Sequence, residues 1–174
     1  WPHVGNQEID EQRVADAVTR LSAVHCGCID ACTIIYAQKA GYFDKLAATI
    51  RLMSTPGVPG EVSRREPTRR GAGQVRLVRI QQTVPADADE EILCAAARFG
   101  VPVLSDDRRV IRAAKAARLD CFNAAMLLHL LFLRRVLDVD GHRRALDRLL
   151  AVAWYGPRIR AFADACYDRI RRSL

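Results

Sequence analysis

The chain has 174 residues, half of them hydrophobic and 27% charged, which suits one well-cored domain and is short for two. Its formal charge of +7 is unevenly spread, −2 over residues 1–50 and +9 over residues 108–174, and arginine outnumbers lysine 24 to 3. The longest apolar run, Ala124 to Leu133 (AAMLLHLLFL), falls well short of the roughly 18–20 residues a membrane span needs, so no membrane role is expected.

The opening WPHVGNQEID lacks the basic and apolar regions of a secretory leader, and a cytoplasmic protein is expected. Residues 8–24 place Ile9, Val14, Ala17, Val18 and Leu21 at near-helical spacing and predict an amphipathic helix ahead of the first strand. Residues 25–30 (HCGCID) read as a short strand ending in Asp30, and a helix follows to about Thr49, broken near Gly41. Met53 to Val62 holds two prolines and two glycines, so any strand there is short, with Glu61 and Val62 opening the next helix. Residues 63–74 carry Arg, Pro and Gly without periodicity and read as a mobile basic loop, whereas VRLVRI (75–80) alternates as an exposed edge strand does.

The most informative stretch is ADADEEILCAAARFGVPVLSDDRRVIRA, residues 86–113. Asp87 with Glu90 three residues later forms a capping-box pattern, and Gly100 suits the left-handed turn that ends a helix. Val101 to Ser105 then reads as a buried strand ending in Asp106-Asp107. A helix over 107–117, a strand at Leu119–Phe122 and the apolar helix 124–137 complete an alternating pattern. Two further helices are parted by Tyr155-Gly156-Pro157. Such alternation predicts a single α/β domain around a parallel sheet.

Acidic residues recur at the junctions: Asp30 after the first strand, Glu61 and Asp89 at helix starts, and Asp106 and Asp107 after a later strand. In open α/β sheets, function collects at the carboxyl ends of strands. Carboxylates crowded there repel one another unless a cation or a raised pKa relieves the repulsion, and oxygen-only ligands suit Mg2+ or Mn2+. Each acid alone has a plainer role, since Asp89 and Glu90 suit a helix dipole and one of Asp106 and Asp107 is expected to cap the next helix. It is their joint placement that points to a metal site. The six cysteines show no zinc spacing and read as small buried hydrophobes, and His129 reads as a satisfied core residue. Trp154 and Tyr155 read as hydrophobic staples at a Gly-Pro turn. Neither a P-loop, a dinucleotide-binding glycine motif nor a nucleophile elbow is present.

The order Asp30 after a first strand, Gly-Glu61-Val, Asp89-x-x-Ile-Leu-x-Ala and Val-Leu-Ser-x-Asp107 resembles the PIN domain, a nuclease fold found in many prokaryotic toxins of toxin–antitoxin pairs. The passages IDACTIIYA and VPVLSDDRR carry the resemblance most clearly, over roughly residues 25–137. It implies a three-layer α/β/α PIN-like domain at 25–137, an N-terminal helical extension at 1–24, and a helical tail at 138–174 packed on the same domain. The activity implied is Mg2+- or Mn2+-dependent endoribonuclease, with RNA phosphodiester bonds hydrolysed by a metal-activated water. Asp30, Asp89 and Asp107 are the implied metal ligands, Asp106 is the alternative to Asp107, and Glu61 completes the acidic cluster. Ser105 would line the site, while Arg108, Arg109 and the basic loop 64–79 would guide the RNA backbone. The resemblance also implies an antitoxin partner and a homodimer. Ala31-Cys32 stands where family members often carry Ser or Thr, which motivates an alternative, a catalytically inactive PIN-like module that binds RNA or protein. A phospho-acceptor domain ranks lower, because that class pairs its acids after the first strand and here the pair comes late.

Overall fold

A computed structural model describes residues 9–65, 75–78 and 87–174. The helices start and stop where side chains satisfy the orphan amides of a first turn. Asp10 accepts from the Gln12 and Arg13 N–H groups and opens α1 (Glu11–Ser22), whose Val14, Ala17 and Leu21 face the core. Strand β1 (Cys26–Ile29) runs directly into α2 (Ala31–Ala40), capped by Asp30 and ended by Gly41 at φ 80°, where a side chain would be strained. The break expected near Gly41 is therefore real, and α3 (Phe43–Thr49) follows as a separate helix before β2 (Arg51–Ser54).

Helix α4 spans Gly57–Arg65, so Glu61 lies in mid-helix and not at the start expected for it. The stretch Gly57-Val-Pro-Gly60 looks like a turn in sequence, but a first helical turn does not use the N–H that proline lacks. It also takes residues 63–65 from the expected basic loop; residues 66–74 of that loop lie outside the described residues. Strand β3 (Arg76–Leu77) is the exposed edge the alternation predicts, with residues 79 and 80 outside the described residues.

Asp87 and Gly100 bound α5 (Ala88–Phe99) as expected. The run after it forms a ladder only at β4 (Val103–Leu104), since Pro102 has no N–H to donate. Asp107 caps α6 (Arg108–Ala116), β5 is Cys121–Phe122, and Asn123 caps α7 (Ala124–Leu133). Helix α7 stops short of the expected residue 137, because Arg135 takes a left-handed φ of 56°. The Arg134 guanidinium there bonds the Val24 carbonyl and, at 3.2 Å, the Thr49 carbonyl. Helices α8 (Val139–Val152) and α9 (Pro157–Ser173) form the tail.

Among the described residues, the five strands are all parallel in the order β3-β2-β1-β4-β5. Chain order moves one way from β1 through β2 to β3 and then crosses to β4 and β5. Right-handed connections therefore put α2–α4 on one face and α5 and α6 on the other. Helices α5 and α6 pack on each other and on β1, β4 and β5, while α1, α7, α8 and α9 pack among themselves and with α2 and α3. This is a three-layer α/β/α arrangement. Helix α7 is buried all round, as its unbroken apolar sequence requires. No helix among the described residues is long and apolar enough to cross a membrane.

Candidate active site

Sheet order reverses at β1, which pairs with β2 on one side and β4 on the other. A crevice opens at such a switch point beyond the carboxyl ends of the strands. Asp30 leaves β1 there, and Ser105-Asp106-Asp107 leaves β4. The Asp30 N–H still donates to the Leu104 carbonyl at 3.1 Å, so the two strand ends are locked in register where the acids begin.

Asp30 is only 5% exposed. One carboxylate oxygen caps α2 by accepting the Thr33 N–H at 2.7 Å, and the other accepts the Ser105 hydroxyl. Burial raises its pKa from 3.8 to about 6 against the pull of these hydrogen bonds, and the nearby Asp106 charge adds to the rise. Ser105 is fully buried and its Oγ also accepts the Asp107 N–H at 3.0 Å, so one hydroxyl joins the two acids. Asp107 in turn caps α6, its Oδ1 accepting from Arg109 at 2.6 Å and from Val110 at 3.3 Å.

Asp106 has a different environment. Its Oδ1 accepts the Tyr155 hydroxyl at 2.6 Å, and its Oδ2 accepts Thr33 Oγ1 at 2.9 Å and the Ala124 N–H at 3.0 Å. Burial pushes its pKa up while these three donors hold it down. Four chain segments meet at this carboxylate: the end of β4, the start of α2, the start of α7 and the α8–α9 connection. Tyr155, expected to act only in packing, is thus a polar member of the site. No local pattern could have announced it, because its partner lies in a distant part of the chain.

Asp89 sits in the first turn of α5, half-buried. Its pKa is raised by burial first and then by the charges of Asp107, Asp87 and Glu61, with Arg109 opposing. Asp89, Asp107 and Glu61 therefore share one electrostatic neighbourhood, although Glu61 is also paired with Arg65 at 2.7 Å. Arg109 reaches Asp87 at 3.6 Å, and the Arg108 guanidinium lies over the Trp154 ring, 5.3 Å from its centroid. Neither arginine bonds Asp106, which takes neutral donors instead. Cys32, half-buried beside the acids, has its thiol pushed up to about 11 by burial and by Asp30, so it is protonated at neutral pH.

The junction acids are thus gathered in two ways. Asp30, Ser105, Asp106 and Asp107 belong to one hydrogen-bonded network, linked in part through Thr33; Asp89 feels the charges of Asp107 and Glu61 through space. Among the described residues, no three His, Cys, Asp or Glu side chains stand close enough together to form a chelating group. The donor chemistry still fits a hard divalent cation. All donors are oxygens, and the repulsion from Asp107, Asp87 and Glu61, which adds to the effect of burial on Asp89, is what a cation relieves.

The histidine and cysteine expectations fare unevenly. His129 is buried in the core as expected, its Nδ1 lying 2.8 Å from His142 Nε2, yet its own Nε2 has no hydrogen-bond partner among the described residues. All six cysteines are free, and Cys28 and Cys166 are buried, but Cys94 is exposed on α5. No protein-family model and no curated protein matches this sequence.

Proposed function

We propose that this chain is a PIN-type endoribonuclease that depends on Mg2+ or Mn2+. The observation that carries the reading is the junction of Asp30 and Asp107 through the buried Ser105 hydroxyl at the sheet's switch point, with Asp89 within reach of the Asp107 charge. Asp30, Asp89 and Asp107 are the proposed ligands. A divalent cation bound at their oxygens supplies charge neutralisation and an activated water. The chain's own contribution is placement. Ser105 fixes the spacing of Asp30 and Asp107, while Tyr155, Thr33 and the Ala124 N–H hold Asp106 as a support behind them. Arg108 and Arg109, both exposed on the first turn of α6, are proposed to meet backbone phosphates. Glu61, engaged by Arg65, is the outer member of the acidic set. In this reading the protein works in the cytoplasm, and a toxin role would bring an antitoxin that covers the acidic crevice and a homodimeric assembly.

A second reading, a PIN-like module that binds RNA or protein without cutting, is favoured by the lack of a chelating trio among the described residues and by the Glu61–Arg65 pair. Incubating a mixed RNA pool with purified protein in Mn2+, in EDTA, and with Asp89→Asn separates the two. Metal-dependent cutting that is lost in the variant supports the nuclease. Binding without cutting, unchanged in the variant, supports the module.

A further inference from the structure

The α8–α9 connection does more than cover the domain. Its Tyr155 is anchored in the site on Asp106, and the preceding residue, Trp154, is 74% exposed, the most exposed of the large hydrophobic side chains among the described residues. An indole left in water forgoes the burial that normally recruits tryptophan to a core. It is nevertheless held in place. The ring edge lies along Gly156, with Cη2 3.7 Å from where a Cβ would stand, and the Arg108 guanidinium sits 5.3 Å from the ring centroid. Arg108 directly follows Asp107, so the indole and its cation stand beside the acids where α6 begins.

We infer that Trp154 is a stacking platform for an unpaired base of the RNA, with Arg108 behind the indole meeting the adjoining phosphate; this rests on the RNA-directed reading above. Two features of Trp154 select this occupant. Its neighbour is a guanidinium suited to phosphate. The next residue, Tyr155, bonds the same carboxylate network that would hold the cut site. A duplex keeps its internal bases stacked on both faces and offers this ring only its two end pairs, so the platform favours single-stranded RNA.

The test uses the full chain and two probes, a 12-nucleotide single-stranded RNA carrying fluorescein and a blunt RNA duplex. Binding is read by anisotropy with Ca2+ present, and RNA integrity is checked on a gel. Trp154→Leu is expected to weaken single-strand binding about tenfold or more, the scale of one lost base–aromatic contact, and to leave duplex binding unchanged. Trp154→Phe is expected to recover most of the loss. Trp1→Phe, which leaves Trp154 as the only tryptophan, is expected to show emission quenched by the single strand and not by the duplex. That readout stands alone if Trp154→Leu does not fold. Equal binding by parent and Trp154→Leu with unquenched Trp154 would overturn the inference. So would a variant that binds RNA normally but turns a dimer into a monomer, which would make Trp154 a contact between copies. A parent that binds and never cuts sinks the nuclease reading and leaves the platform. A parent that cuts, with KM unmoved in Trp154→Leu, does the reverse, and a parent that does neither sinks both.

Discussion

Asp30→Asn is expected to make the protein more stable at neutral pH while abolishing its proposed activity. The carboxylate is buried, and its pKa rises from 3.8 to about 6, chiefly by desolvation. An acid whose folded pKa is raised contributes stability that is fully present below pH 3.8 and is lost as the pH climbs through 6. The two-unit rise corresponds to about 3 kcal/mol at pH 7, at about 1.4 kcal/mol per unit. Asparagine keeps the oxygen that accepts the Thr33 N–H, and the Ser105 hydroxyl can turn to accept from the new amide, so the cap survives the change. The variant should therefore gain about 2–3 kcal/mol at pH 7, or about 5–10 °C in Tm for a chain of this size. Calorimetric melts from pH 4 to 8 in EDTA would show the gain growing through pH 5 and 6 and vanishing near pH 4. Melts repeated with Mn2+ should raise the parent and leave the variant where it was. A variant that melts at or below the parent at pH 7, or whose difference does not change with pH, would refute the reasoning.

Tyr155→Phe removes the hydroxyl that donates to Asp106 at 2.6 Å and should cost about 1.5–3 kcal/mol in urea unfolding, as expected for a hydrogen bond to a charged acceptor. RNA cutting should fall with it, by less than in Asp107→Asn. Gly27→Ala would set a Cβ 2.8 Å from the Leu104 side chain in the middle of the β1–β4 pair, so a loss of about 1–3 kcal/mol is expected, together with a weaker metal response in the melts because the same two strands carry Asp30 and Ser105. Burial lowers His129 to about 3 and His142 to about 4. The stability their neutral forms contribute is present above pH 6.5 and lost as the pH falls through 4, at up to about 1.4 kcal/mol per pH unit for each ring. His129→Leu should flatten that acid limb, and an unchanged limb in circular-dichroism melts would assign it to other groups.

What was legible in the sequence was whatever is decided locally. Asp87 and Gly100 bound α5 because a cap oxygen and a left-handed C-terminal residue act within a few positions of themselves. The same holds for Asp30 after β1 and for the break at Gly41. Alternation in 75–80 foretold the sheet edge, and βα alternation foretold the parallel sheet. The illegible parts were those settled by distant partners or by chemistry that looks like its opposite. Gly57-Val-Pro-Gly60 lies ahead of the helix expected from Glu61 yet begins α4, which moved Glu61 into mid-helix and beside Arg65. Val101-Pro102 reads as strand but cannot extend a ladder. Asp106 and Asp107 are neighbours of the same type, and only their partners distinguish them: one is enclosed by Tyr155, Thr33 and Ala124, while the other caps α6.

The reversal of strand order at β1 also sets a timetable. β1 meets β2 across the crossover through α2 and α3, with Cys28 opposite Met53, and β4 meets β5 across α6, with Val103 opposite Cys121. The β1–β4 pair joins Cys28 to Val103, the longest closure in the sheet, and it alone brings Asp30 beside Ser105 and Asp107. Chain closure becomes slower and costlier as the separation grows. The acids thus come together only when both halves of the sheet have met, and until then a folding chain carries them apart, with their mutual repulsion not yet incurred.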